Sequence, residues 1–220
     1  MEPIRNERDV EAALRRLAAR DPRLAAAWAA VDHVPLRLLP GDFAGLCRIV
    51  AGQQLSTQSA AAVYARVAAT FHPLSAATVL AADEAALRAA GLSRQKAATF
   101  RAVAEAVAAG LDPDTLAERP AEEARTALES IRGIGRWSAD LYLMFCAGHP
   151  DIFPVGDLAV RRAAAHVLGL PAEPAPAALD AMARIWSPDR SVAARLMWAF
   201  YRTLRPVAQG PTTVPEGAPL

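Results

Sequence analysis

One pattern repeats along almost the whole chain: a Ser, Asp or Asn, then apolar residues three or four apart, then a Gly or Pro. An oxygen-bearing side chain satisfies the open N–H groups of a helix start, a 3.6-residue apolar period buries one helical face, and Gly or Pro ends the element. Asp21-Pro22 opens a segment whose Leu24, Trp28 and Val31 share a face; Asp42 opens Phe43, Leu46, Ile49 and Val50; Ser56 opens Val63, Val67 and Phe71. Ser75 and Asp83 begin short helices, the second stopped by Gly91, and Ser93 caps a longer one through Phe100, Val103 and Val107 to Gly110. Pro120 starts a helix carrying Ala124, Ala127, Leu128 and Ile131. Arg136 to Ala147 and Asp157 to Leu168 read as two more, ended by Gly148 and Gly169, and Ser187-Pro188 starts the last. No convincing strand pattern interrupts the series. About ten helices joined by short loops predict an all-α fold.

At 220 residues and 53% hydrophobic, the chain has room for one large domain or two lobes with a sizeable core. The net charge of +1 rules out a bulk attraction to nucleic acid, so any such site must be a local patch. Cys47 and Cys146 lack CxxC spacing, which excludes a disulfide scaffold, a cysteine zinc site and a four-cysteine iron–sulfur cluster. His33, His72, His149 and His166 show no ligand spacing either. The start, Met1 to Arg8, is charged, and the long uncharged run Val67 to Ala82 contains His72 and Pro73. Neither a signal peptide nor a membrane span is predicted, so a cytoplasmic location with no membrane partner is expected; a monomer is expected separately. Pro206 to Leu220, rich in proline and poor in apolar period, is expected to stay mobile.

The most informative stretch runs from Leu128 to Ala139 and reads helix, Gly-Ile-Gly, helix. Gly133 and Gly135 let the chain reverse tightly and bring bare backbone close to a partner, while the first N–H groups of the following helix point outward. Such a surface suits a phosphate. Ile134 would plug the space between the helices, and Arg132 and Arg136 add positive charge beside the turn. The alternative is a purely structural turn between two helices.

Four blocks together resemble the helix–hairpin–helix (HhH-GPD) DNA glycosylases, and within them the AlkA-like 3-methyladenine DNA glycosylase II type. They are Ile49 to Ser56 (IVAGQQLS), Gly91 to Lys96 (GLSRQK), the hairpin Ile131 to Ala139, and Phe153 to Arg162 (FPVGDLAVRR). The likeness spans about Asp42 to Arg205, and the aspartate twenty residues after Trp137 matches the family's interval from hairpin to catalytic carboxylate. The resemblance implies a two-lobed all-α fold with DNA across the cleft. Residues 42–155 would form the central lobe, with the helix–hairpin–helix at about 121–147. Residues 1–41 and 156–205 would form a lobe from the chain ends, and 206–220 a flexible tail. The sheet domain preceding these lobes in larger relatives is expected to have no counterpart here, since few residues precede Asp42.

The same resemblance makes Asp157 the catalytic carboxylate. Cutting a base from its sugar passes through an oxocarbenium-like cation, which needs a nearby negative charge and a positioned water. A helix-capping role alone is the competing reading of Asp157, and the two are compatible, because a helix N-terminus favours the ionised form. Relatives that also cut the strand carry a lysine in the second hairpin helix, where Trp137 stands here, and Lys96 is the only lysine in the chain. A monofunctional enzyme leaving an abasic site is therefore expected. Alkylated purines already carry positive ring charge and leave without a proton, so one carboxylate suffices.

By the same likeness, Gln53-Gln54-Leu55-Ser56 is where the family places the wedge that fills the space of a flipped base, with Gln54 or Leu55 as the inserting residue. Trp137, Trp198, Phe43, Leu141 and Tyr142 are candidates for the base pocket, Leu141 standing where the family often has an aromatic ring. Arg132, Gly133, Ile134, Gly135, Arg136, Ser138 and Lys96 are the expected DNA contacts. No cofactor is required, although the family binds Na⁺ or K⁺ through hairpin carbonyls, here those of Glu129, Ile131 and Ile134. Basic residues between Ala85 and Ala104 and between Arg184 and Arg205 could follow phosphates. The expected partner is double-stranded DNA containing damaged bases, and the expected activity is alkylpurine excision in base excision repair. The alternatives are a glycosylase for uracil, mismatched or other neutral bases, and a non-catalytic helix–hairpin–helix DNA-binding protein.

Overall fold

The computed structural model describes residues 2–204; the tail predicted to be mobile and Arg205 lie outside them. Among the described residues there are twelve α-helices, two single-turn 3₁₀ segments and no strand. Nearly every capping residue read from the sequence does its work. Asp21, Asp42, Ser56, Ser75, Asp83, Ser93 and Asp157 each accept a hydrogen bond from an N–H of the turn they open. The last helix is the exception, starting at Arg190 rather than at Ser187-Pro188, because a 3₁₀ turn over Arg184–Trp186 comes first.

The chain divides into two compact units. The first, from the chain ends, holds α1 (Glu7–Arg20), α2 (Pro22–Ala29), α10 (Leu158–Val167), α11 (Pro176–Ala183) and α12 (Arg190–Thr203). Helix α12 is buried without a break from Ser191 to Ala199, so it is the core of this unit, packed by α1, α2 and α10. Asp21 closes α1 and opens α2, taking bonds from Arg23 and from the indole of Trp186. Those bonds hold its carboxyl at about 2, well below the usual range. Residues 148–155, read above with the central lobe, belong here. The Gly148 carbonyl accepts from Ile4 N–H at 2.7 Å, and Ser191 Oγ accepts from Ile152 N–H at 2.9 Å.

The second unit, Leu39–Ala147, holds α3 (Phe43–Gly52), α4 (Thr57–Thr70), α5 (Ala76–Ala81), α6 (Glu84–Ala89), α7 (Arg94–Ala108), α8 (Ala121–Glu129) and α9 (Arg136–Phe145). Helix α9 is buried from Ser138 to Phe145 and packs on α8 and α3, while α3 also contacts α4 and α7. Each unit thus surrounds one helix with amphipathic ones. Two helices, α1 and α11, went unread in the sequence. Half of the residues of the first are charged, and it buries Val10, Ala13, Leu14 and Leu17, while the second buries only Leu179 and Ala183.

Candidate active site

Helix α8 ends at Glu129, α9 begins at Arg136, and the turn between them is shaped by Gly133 at φ +92°. A Cβ there would lie 2.0 Å from Thr99 Oγ1 of α7, so glycine is demanded by backbone conformation and by close approach together. Ile134 is buried as expected, and its N–H donates to the Ile131 carbonyl at 3.0 Å. Gly135 caps α9 without a side chain, which leaves the first N–H groups of that helix open to an anion. Arg132 and Arg136 are exposed beside them.

The hairpin is braced from inside by residues that the sequence reading missed. Arg125 Nε donates to Asp140 Oδ1 at 2.8 Å, with both side chains 3% exposed or less, and Arg136 Nε stands 3.8 Å from Asp140 Oδ2. Burial pushes the Asp140 carboxyl up to about 6, against the pull of Arg125. No local period marks such a pair, because its members are fifteen residues apart on either side of the turn.

The proposed wedge loop separates into two kinds of residue. Gln53 closes α3 and turns inward, its Nε2 donating to the Gly133 carbonyl at 3.1 Å and to Ser138 Oγ at 2.9 Å. Ser56 caps α4. Between them Gln54, at φ +57°, and Leu55, 41% exposed, project to solvent. Lys96 is half-buried and donates to the Ala51 carbonyl at 2.8 Å, so its charge serves the C-terminal turn of α3, and burial lowers its pKa. Ser138, expected to meet DNA, is buried and occupied by Gln53.

In the other unit, Asp157 caps α10 and is half-buried. Its Oδ1 accepts from Val160 N–H at 2.9 Å and from the Trp198 indole Nε1 at 3.1 Å. Its Oδ2 takes no hydrogen bond from the described residues. One oxygen is therefore fixed by a helix N-terminus and an indole, and the other is left for an incoming group. Trp198, expected in the base pocket, is 7% exposed and serves as this anchor.

Of the other pocket candidates, Leu141 and Tyr142 are core residues of the central unit. They are 1% and 0% exposed, and the Tyr142 hydroxyl donates to the Gly41 carbonyl. Phe43 is buried at the start of α3, and Trp137 is exposed in the first turn of α9. The basic runs are in part spent on structure: Arg101 on the Ala82 carbonyl, Arg190 on Asp151, and Arg195 on the Leu36 carbonyl. Arg88, Arg94, Arg184 and Arg202 remain exposed. No helix among the described residues is long and apolar enough to cross a membrane.

An all-helical chain with a glycine-turned helical hairpin and a helix-capping carboxylate has a recognisable kinship. Residues 47–188 match the HhH-GPD superfamily base excision DNA repair protein family. DNA-3-methyladenine glycosylase 1 of Schizosaccharomyces pombe is 32% identical over 158 residues, covering 70% of this chain and 69% of that protein. The crystal structure of a DNA-3-methyladenine glycosidase from Bacillus halodurans superimposes with a TM-score of 0.79 at 28% identity, covering 93% and 94% of the two chains. The 3-methyladenine DNA glycosylase of S. pombe in complex with abasic DNA gives 0.69 at 27% identity, over 84% of this chain and 94% of that one. The protein belongs to the HhH-GPD superfamily of base excision DNA repair proteins.

Proposed function

We propose that this protein is a monofunctional DNA glycosylase that excises alkylated purines of the 3-methyladenine and 7-methylguanine type from double-stranded DNA. The observation that carries the reading is Asp157, one oxygen locked by the α10 N-terminus and Trp198 and the other unengaged. The similarity to 3-methyladenine glycosylases supports the substrate class.

The open N–H groups of α9, with Arg132 and Arg136, grip a phosphate, and Gln54 or Leu55 enters the stack as the damaged base leaves it. The bond from C1′ to the purine nitrogen breaks, its electron pair passing to a ring that is already cationic. Asp157 stabilises the sugar cation while water adds to C1′ and loses its proton, giving free base and an abasic site. The hairpin carbonyls suit a monovalent cation. Those of Glu129 and Ile134 accept no backbone hydrogen bond among the described residues, while that of Ile131 accepts one. Na⁺ or K⁺ there would add positive charge beside the phosphate.

The test is incubation of the chain with methylated duplex DNA and chromatography of the bases set free. Release of 3-methyladenine and 7-methylguanine is expected; release only of uracil or hypoxanthine from defined duplexes would move the substrate to neutral lesions. Tight binding to an abasic analogue with no base released would make the chain a DNA-binding protein without chemistry.

Two further outcomes follow from the site. Borohydride added during turnover is expected to trap no protein–DNA adduct on a denaturing gel, since Trp137 stands at the lysine position and Lys96 is committed to Ala51; a covalent band would overturn the monofunctional reading. Trp198→Phe, which removes the indole donor, is expected to slow single-turnover release about tenfold, the worth of one hydrogen bond to a charged group. DNA affinity, read by fluorescence anisotropy, should hold.

A further inference from the structure

In the central unit the Gln53 side chain ties the wedge loop to the hairpin. Gln53 is the last residue before the exposed pair Gln54 and Leu55, and its amide nitrogen bridges the Gly133 carbonyl and Ser138 Oγ. The first acceptor is the very residue whose φ of +92° shapes the turn, and the second sits in the opening turn of α9, whose N–H groups are open. Both ends of the bridge are held independently. Lys96 pins the Ala51 carbonyl two residues before Gln53, and Thr99 of the same helix packs against the α-carbon face of Gly133. Helix α7 is therefore a common backing for the end of α3 and for the hairpin. Gln54 then turns immediately into the left-handed region, so a shift of the Gln53 backbone changes the direction in which the loop tip points.

We infer that Gln53 is a positioning residue that couples the grip of the hairpin on DNA to insertion of the Gln54-Leu55 tip, so that base extrusion, rather than bond cleavage, depends on its amide. The inference rests on the glycosylase reading above. Without the two bonds the tip is free to lie in other directions, and each binding event must select the inserting one; with them, a hairpin seated on a phosphate presents the tip already aimed. Chemistry at an already extrahelical base has no need of this.

The full chain, Gln53→Ala and Ser138→Ala are compared in single-turnover release of 7-methylguanine from a paired duplex and from the same lesion in a single-nucleotide bulge. Loss of two hydrogen bonds is expected to slow Gln53→Ala about ten- to hundredfold on the paired lesion. On the bulged lesion its rate should stay within about threefold of the parent. Ser138→Ala, which spares the Gly133 bond, should show a smaller loss of the same kind and supplies the answer if Gln53→Ala does not fold. Enhancement of 2-aminopurine fluorescence beside an abasic analogue, a direct reading of unstacking, should fall in parallel. Equal losses on paired and bulged lesions, or none on either, overturn the coupling. If the parent chain releases no base from either substrate, the glycosylase reading fails. The fluorescence then decides the coupling alone: a signal undiminished in Gln53→Ala overturns it, and a diminished one supports it.

Discussion

Asp157→Asn is expected to lower the rate of purine release about a thousandfold while leaving the fold in place. A carboxylate about 4 Å from a developing unit charge, at an effective dielectric near 20, is worth about 4 kcal/mol, which converts to that factor. The amide is isosteric, and its oxygen can still accept from Val160 N–H and from the Trp198 indole, so both the α10 cap and the indole anchor survive. What disappears is the negative charge on the oxygen left open. Base release by chromatography, circular dichroism and affinity for an abasic-analogue duplex separate the effects: the first should collapse and the other two should hold. Release at the parental rate would remove Asp157 from the chemistry and with it the mechanism proposed above.

Arg125→Met is expected to cost about 3–5 kcal/mol of stability in the central unit, because it leaves the Asp140 carboxylate buried beneath the hairpin without its close partner. Arg136, at 3.8 Å and 46% exposed, compensates weakly. Urea unfolding followed by hydrogen exchange of α8 and α9 amides reads the loss. The double change Arg125→Met with Asp140→Leu should restore most of it, since no charge is then stranded.

The penalty carries a pH signature. The folded Asp140 carboxyl already lies above its unfolded value of about 4. The folded chain therefore binds the proton more tightly, and the contribution is favourable at low pH and lost as pH rises through the folded value. Removing Arg125 raises that folded value further, so Arg125→Met should cost less at pH 4 than at pH 8. A cost that does not change between those pH values would show that the stranded carboxylate is not its source.

The sequence settled whatever is decided within a turn or two of the chain. Caps such as Asp42, Ser93 and Asp157 were legible because a short oxygen-bearing side chain meets N–H groups two or three residues ahead. The hairpin was legible for the same reason, its glycines and plug being neighbours. Helix α1 carried the same signals, a capping Asn6 and Val10, Ala13, Leu14 and Leu17 at helical spacing, but charged side chains fill half of its positions and mask that face.

Partners far apart in sequence were decided only by the tertiary structure. The residue types in the wedge block do not say that Gln53 turns inward to the hairpin while Gln54 and Leu55 face solvent; that depends on a carbonyl eighty residues away. Trp198 and Tyr142 look alike in sequence, as aromatic rings on apolar helices, yet one donates to Asp157 and the other is sealed in the core. Local chemistry chose which backbone groups are capped and where the chain reverses. Packing chose which polar atoms are consumed inside and which oxygen, arginine or amide is left to act, because a side chain's task is set by the atoms that reach it, and in a helical protein those atoms come from other helices.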